Sequence, residues 1–132
     1  MVIERGEIWW AELQEPAGSG PGYKRPLVVI QSNDFNKSRI NTIIAVVLTT
    51  NMKLADSPGN VMLSKKMTGL PKDSVTNVSQ LITIDRYDLS DRIGILPAGT
   101  MRRIDDGLRL VLSLFQKPCL PTQFWTFNPG TR

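Results

Sequence analysis

Arg25 is the side chain best suited to do chemistry in this sequence. It stands in the triplet Lys24-Arg25-Pro26, between a glycine-rich stretch at 18–23 and an apolar run at 27–30. The proline biases Arg25 toward an extended backbone. A guanidinium at the mouth of a buried strand can clamp a phosphate, because it is planar, permanently charged and carries donors in a fixed geometry. Lys24 is a second candidate phosphate contact. The alternative is a solvated charge that begins a strand.

Two groups of polar residues interrupt apolar strand patterns. Thr49 and Thr50 close a β-branched run at 42–50, and Asn77, Ser79 and Gln80 lie in the predicted strand 74–83. Hydroxyl groups can donate hydrogen bonds to phosphate oxygens. Polar side chains inside an apolar strand indicate that the strand lines a solvent-filled surface. The alternatives are structural, since threonine favours strands and a glutamine can satisfy a backbone group at the end of a barrel.

The composition excludes several classes of enzyme. The 132 residues contain no histidine, so no imidazole can act as a general acid, a general base or a metal ligand. The single Cys119 cannot form an internal disulfide and has no histidine to activate it as a nucleophile. A net charge of +4 and a pI near 9.5 agree with an anionic partner such as nucleic acid, although many ordinary proteins are equally basic.

The cellular location is predicted from two further features. No apolar stretch reaches the length that a membrane-spanning helix requires. The first residues carry Glu4 and Arg5, where a signal peptide would need an apolar segment. A cytoplasmic protein with no membrane partner is therefore expected.

Five strands and one helix are predicted to position these residues. Between residues 97 and 115, apolar side chains recur at steps of three and four and indicate an amphipathic helix. Short connections favour antiparallel pairing, so the expected fold class is mainly β with one C-terminal helix, arranged as a small, partly open barrel. Trp9 and Trp10 are expected in the core and at dimer contacts rather than under RNA bases. The predicted strands are 7–13, 26–31, 42–50, 61–64 and 74–83.

The domain organisation is predicted to be simple, because the length is that of one domain. Residues 1–115 are expected to form the barrel. Residues 116–132 contain three prolines and no periodicity, and we expect them to be a loosely ordered tail.

Four segments, taken in their order and spacing, resemble the MazF/PemK toxins, the ribonuclease halves of bacterial type II toxin–antitoxin pairs. The segments are 5–13, 25–31, 45–50 and 80–85, followed by the helix that ends near residue 115. The resemblance implies an SH3-like small β-barrel that forms a homodimer and cleaves single-stranded RNA at short sequences without a metal or cofactor. It also implies a MazE-like antitoxin, whose C-terminal segment covers the RNA groove.

The resemblance carries functional roles to individual residues. The arginine of the family's arginine–proline motif falls on Arg25, and its threonine at the end of the third strand falls on Thr49, with Thr50 as the alternative if the register slips by one. The residues expected to bind RNA are Lys24, Ser19, Thr50, Asn51, Ser79 and Gln80. Loops at 18–23, 51–58 and 65–72 are expected to rim the RNA groove.

This sequence also departs from the family pattern. Many members have Gly-Ser-Glu-Gln in the first loop, where this chain has Gly-Ser-Gly-Pro at 18–21, so a loop carboxylate acting as general base is missing. Ser79 and Ile82 stand where members often carry glutamate and arginine, which changes the expected RNA sequence preference. The general base is left open among a backbone carbonyl, a water molecule and Asp34.

In the chemistry implied for the family, the RNA supplies its own nucleophile. The 2′-hydroxyl of RNA attacks the adjacent phosphate, while Arg25 stabilises the transition state and Thr49 donates to a non-bridging oxygen. The expected products carry a 2′,3′-cyclic phosphate and a 5′-hydroxyl, and cleavage of mRNA would inhibit translation and growth. Two alternatives remain: a gyrase-inhibiting toxin on the same fold, and a non-catalytic nucleic-acid-binding barrel.

Overall fold

A computed structural model of the protein describes residues 2–13 and 23–114. Within these ranges the chain forms six strands, three helices and two 3-10 turns. The strands are β1 (Glu7–Leu13), β2 (Tyr23–Val29), β3 (Thr42–Thr49), β4 (Met62–Leu63), β5 (Ser74–Asp85) and β6 (Leu89–Ile95). The helices are α1 (Asn33–Asn36), α2 (Lys65–Thr68) and α3 (Ala98–Leu112), and the 3-10 turns are Met52–Asp56 and Arg86–Asp88.

The six strands form one curled antiparallel sheet in the order β4-β5-β3-β2-β1-β6. The segment after α2 lies against β6, with Gly69 close to Ile93, so the two edges of the sheet approach each other. Curling in this way reduces the exposed edge that an open sheet would present to other strands. The prediction of a mainly β fold with a C-terminal helix is confirmed.

The core consists of two clusters. One lies between the sheet and α3 and is built around Ile8, Val46, Leu48 and Ile104. The other is built around Trp9, Leu27, Val29, Ile43 and Ala45. Successive side chains of a strand point to opposite faces, which is why neighbours such as Ile8 and Trp9 belong to different clusters.

The structure differs from the prediction at several elements. The second strand, predicted at 26–31, spans Tyr23–Val29. Strand β6 was not expected, because its exposed residues, Ser90, Asp91 and Arg92, give no apolar alternation. Strand β5 continues past residue 83 to Asp85. Residues 65–68, expected in a loop, form the short helix α2, capped by Ser64 at its start and by Gly69 in a left-handed conformation at its end.

The C-terminal helix buries side chains from Thr100 to Leu108, and its last turn is exposed. Met101, Ile104 and Leu108 contact the sheet, whereas Val111 and Leu112 of the predicted apolar stripe are 43% and 48% exposed. Phe115, the last member of that stripe, and the predicted tail at 116–132 lie outside the described residues.

Gly107 has a structural reason to be glycine inside α3. A Cβ atom at that position would overlap the backbone of Gly59, so a side chain would push the helix away from the turn that contains Gly59. No helix in the described part of the chain is both long and apolar enough to cross a membrane.

Candidate functional site where β2 and β3 separate

The candidate site begins where the pairing of β2 with β3 stops. The recorded pairs are Leu27 with Val47, Val28 with Val46 and Val29 with Ala45, and they end before Pro26. In the same register the Ile30 N–H donates to the Ile44 carbonyl, 3.1 Å away. The even-numbered residues of β2 therefore direct their N–H groups at β3.

Position 26 is the next at which a backbone N–H of β2 would donate to a carbonyl oxygen of β3, and proline occupies it. Its expected acceptor is the Leu48 carbonyl, but proline has no N–H. Arg25 supplies the missing donor: its Nη2 donates to the Leu48 carbonyl oxygen at 2.8 Å. The proline thus opens the sheet and leaves a backbone oxygen that holds the neighbouring guanidinium in place.

A cavity of about 430 Å³ lies at this opening. It includes both residues predicted to be catalytic, Arg25 and Thr49, together with Thr50. The full lining is Trp10, Arg25, Pro26, Leu48, Thr49, Thr50, Leu70, Pro71, Lys72 and Ser74. The cavity therefore combines two cations and three hydroxyl groups with an apolar surface.

Thr49 is held in a defined orientation at the end of β3. Its backbone pairs with Val75 of β5, and its Oγ1 accepts a hydrogen bond from the Asn51 N–H at 3.1 Å. Because a hydroxyl group both donates and accepts, this bond leaves the Thr49 proton for another acceptor. The site can thus present a hydroxyl donor and a guanidinium to the same anion.

The electrostatics of the cavity favour an anionic ligand. Of the residues that line it, Arg25 and Lys72 are basic and none is acidic. The ion pairs found among the described residues join Arg5 to Asp105, Arg92 to Glu7 and Arg109 to Asp106, so they do not include Arg25. Two cations without a facing carboxylate suit a phosphate.

Four of the residues predicted to bind RNA lie in the described structure but outside the cavity lining. Lys24 is exposed and lies opposite Glu12 of β1. The Asn51 side chain accepts from the Lys53 N–H at 3.2 Å and caps a 3-10 turn. The other two, Ser79 and Gln80, are exposed in β5. The remaining one, Ser19, lies outside the described residues.

Ser79 and Gln80 lie in an irregular part of β5. The pairing with β3 passes from Leu81 opposite Val46 to Thr76 opposite Leu48, so four residues of β5 face one residue of β3. Such a bulge re-aims side chains, and the alternation predicted for this strand does not continue through it. The Ser79 hydroxyl donates to the Asn77 side chain at 2.8 Å.

Sequence reasoning missed most of the apolar lining. Trp9 is buried in the core as expected, but Trp10 lines the cavity. The signal was present, because two successive strand residues must face opposite sides. Leu70, Pro71 and Lys72 follow α2 and belong to the loop at 65–72 that was expected to rim the groove, but none of the three was singled out, because they reach the cavity only through the tertiary fold.

Metal-binding residues are not concentrated anywhere in the described structure: no three Cys, Asp or Glu side chains come together at residues 2–13 or 23–114. Asp34, one of the alternatives for the general base, lies in the first turn of α1 and is not part of the cavity lining.

The sequence matches proteins of known type over most of its length. The profile of a family described as "PemK-like, MazF-like toxin of type II toxin-antitoxin system" matches residues 4–112. Endoribonuclease MazF6 of Mycobacterium tuberculosis (strain ATCC 25618 / H37Rv) is 52% identical over 114 residues, which cover 86% of this chain and 100% of that one. Endoribonuclease EndoA of Bacillus subtilis (strain 168) is 34% identical over 114 residues, covering 86% and 97%.

A solved structure shares the fold. An endoribonuclease from a mycobacterial species, in complex with its cognate antitoxin, superposes with a TM-score of 0.67 at 23% identity, covering 88% of this chain and 98% of that one. Because the sequence identity is low, this similarity is evidence for the barrel fold alone.

Proposed function

Because the chain belongs to the PemK-like, MazF-like family of type II toxins, we propose that it is the endoribonuclease toxin of a toxin–antitoxin pair. Its substrate is single-stranded RNA, including mRNA, and its action inhibits translation and growth. The observation that supports this most directly is the cavity that holds Arg25 and Thr49 without a carboxylate.

The proposed reaction is an intramolecular attack within the RNA. The 2′-hydroxyl gives its proton to the general base as its oxygen bonds to the adjacent phosphorus and the bond to the 5′-oxygen breaks. The 5′-oxygen takes up a proton from water, so the products are a 2′,3′-cyclic phosphate and a 5′-hydroxyl. The protein contributes by holding these atoms in line and stabilising the charge on the phosphoryl oxygens. The cavity suits this role because its donors are fixed before the substrate arrives.

Arg25 has the leading part in this proposal. One Nη2 proton is used by the Leu48 carbonyl, and the guanidinium has four more N–H donors for phosphate oxygens. It also supplies a hydrogen bond toward the departing 5′-oxygen. Thr49 donates its hydroxyl proton to a non-bridging oxygen.

None of the residues that line the cavity is acidic, so we propose that the general base is not a carboxylate of the lining. Asp34 lies outside that lining, so we favour the other two alternatives, a backbone carbonyl or a water molecule. We propose that the reaction proceeds without a metal ion, with Arg25 providing the positive charge at the cleaved phosphate.

The partners are proposed from the same family. The chain forms a homodimer and is neutralised by a MazE-like antitoxin whose C-terminal segment covers the RNA groove. The solved relative in complex with its cognate antitoxin supports this assignment. We expect the toxin to act in the cytoplasm, where its mRNA substrate is found.

The experiment that tests the proposal is incubation of the purified protein with a long transcript in excess EDTA. Discrete fragments with cyclic phosphate and 5′-hydroxyl ends are expected. An intact transcript would contradict the proposal. In that case inhibition of gyrase would support the toxin of that class, and RNA binding without cleavage would support a non-catalytic barrel.

A further inference from the structure

The proposed chemistry uses only part of the cavity. Arg25 and Thr49 account for the contacts to the cleaved phosphate, but Trp10, Lys72 and the apolar side chains of the lining have no role in it. Trp10 is partly buried and lies opposite Pro26 in the β1–β2 pairing, so an indole and a pyrrolidine ring lie side by side. This part of the lining is a surface for an apolar, planar group.

The size of the cavity limits what it can hold. Sites for small ligands occupy about 300–1,000 Å³, and this one, at about 430 Å³, lies toward the lower end of that range. It has room for one nucleotide and not for a folded or double-stranded segment. Unstacked RNA bases bind by lying against aromatic side chains, which Trp10 offers.

Lys72 adds charge to the same place. It is exposed, it lines the cavity, and it takes part in none of the ion pairs found among the described residues. An ammonium group on a flexible stem is a point charge that suits a phosphate rather than a flat base edge. Leu70 and Pro71 precede it in the lining and complete the apolar surface.

We infer that the cavity is a subsite for one nucleotide next to the cleaved phosphate, with its base against Trp10 and its own phosphate against Lys72. The inference rests on the proposed function, because Arg25 defines which phosphate is cleaved. It assigns binding roles to two residues that the comparison with the family does not single out.

The base contact is tested with an RNA taken from a mapped cleavage site and made uncleavable by a 2′-deoxy nucleotide. Trp10→Leu keeps an apolar side chain and removes the aromatic face. We expect it to weaken binding roughly 5- to 100-fold, and Trp10→Phe to restore most of the loss. An RNA with an abasic residue beside the cleavage site should bind Trp10→Leu and the wild type equally.

Two results would overturn the base contact. One is unchanged affinity of Trp10→Leu for the intact RNA. The other is an equal loss of affinity for the intact and the abasic RNA, because that loss would come from altered packing. Thermal unfolding of each variant separates a folding defect from a binding defect, and Trp10→Phe keeps the test informative if Trp10→Leu does not fold.

The phosphate contact is tested by the salt dependence of binding. Lys72→Gln should lower the slope of log affinity against log salt concentration by about 0.7, the value for one contact to single-stranded nucleic acid. Lys66→Gln is the matched control, because Lys66 is exposed on α2 and does not line the cavity. Equal slopes for Lys72→Gln and the wild type would overturn the contact between Lys72 and a phosphate.

The two proposals fail in different ways. A wild-type protein that cleaves no RNA overturns the proposed function, and the subsite with it. A wild-type protein that cleaves RNA, with KM unchanged in Trp10→Leu and Lys72→Gln, overturns the subsite alone. If these variants bind RNA normally and lose affinity only for the antitoxin segment, the cavity belongs to the antitoxin and the inference is wrong.

Discussion

Arg25 and Arg92 occupy contrasting surroundings. The Arg92 Nε donates to the Glu7 carboxylate, which also accepts from the Trp9 indole, so the charge of this half-exposed arginine is neutralised by a buried carboxylate. Arg25 donates to the carbonyl oxygen of Leu48, which carries no net charge. One arginine is held by a carboxylate and the other by a backbone oxygen, and among the described residues the second has no carboxylate partner.

The difference shows how one side chain type can serve two purposes in a small barrel. A carboxylate partner neutralises the charge of an arginine, whereas a carbonyl partner orients the guanidinium and leaves it able to bind an anion. Arg5 follows the first pattern, because it is paired with Asp105 of α3. Arg86 is also held by backbone oxygens, those of Asn36 and Ile40, so a neutral partner marks Arg25 as a candidate only together with its place in the cavity lining.

The largest effect on the cleavage rate is expected from Arg25→Ala, and Arg92→Ala is the comparison. Arg25→Ala should reduce the cleavage rate by at least 10²–10³, the order of loss for a fixed transition-state donor. Arg92→Ala should keep the rate within a few fold and lower the free energy of unfolding by about 1–3 kcal/mol, because Glu7 stays buried without its partner. Single-turnover cleavage and thermal unfolding measure the two effects.

The contrast between the arginines would be wrong if Arg92→Ala lost as much cleavage as Arg25→Ala while still folding. It would also be wrong if Arg25→Ala retained full activity. Either result would remove the charge of the partner as the distinguishing feature.

A smaller effect is expected from the threonines at the same opening. Thr49→Ala should lower the rate by about 10²-fold, the lower end of the 10²–10³ range for one transition-state donor, because one neutral hydroxyl donor is lost from the phosphate. Thr50→Ala is the matched control and should cost less, although Thr50 also lines the cavity. Rates measured on the same RNA under single-turnover conditions compare them. The opposite ranking would show that the register taken from the family is shifted by one residue.

The smallest effect is expected in the stability of the fold at low pH. It comes from Glu7, the carboxylate that pairs with Arg92. Burial raises the pKa of Glu7, but hydrogen bonds from the Glu4 N–H, Arg92 and Trp9, with the charge of Arg92, outweigh it, so the pKa lies below its usual value. A lowered folded-state pKa stabilises the protein at neutral pH, and this contribution disappears as the pH falls from the ordinary carboxyl range through the folded-state pKa.

Glu7→Gln provides the control for this pH dependence. The wild type should be more stable than Glu7→Gln at pH 7, and the difference should shrink on acidification, because a protonated Glu7 resembles glutamine. Unfolding temperatures of both proteins between pH 7 and pH 3 measure it. A difference that stays constant over this range would contradict a titrating role for Glu7.

Much of the fold could be predicted because local pattern and tertiary structure agree. The strands around 27–30 and 42–50 are apolar and β-branched, and α3 has a clear helical period, so each gave a strong local signal. The family predicted from four segments is confirmed by the match to residues 4–112. Strand β6 was missed because it is polar and exposed, and its pairing with β1 is a property of the whole sheet.

The candidate site was less predictable. Arg25 and Thr49 could be named from the resemblance, but the reason they meet is a hydrogen-bond register that the sequence does not display. Lys72 reaches the cavity from a segment more than twenty residues beyond Thr49 in the chain, through the packing of α2 against β6. Contacts of this kind depend on tertiary structure and leave no local pattern.

The anchor of Arg25 has a consequence for how such toxins diversify. A main-chain oxygen is present whatever amino acid occupies position 48, so mutation of that residue cannot delete the acceptor. The surrounding residues can then change in shape and polarity to suit other RNA sequences, while the guanidinium that we propose as the cleaving group keeps its position. A barrel built in this way can be retargeted without rebuilding its catalytic machinery.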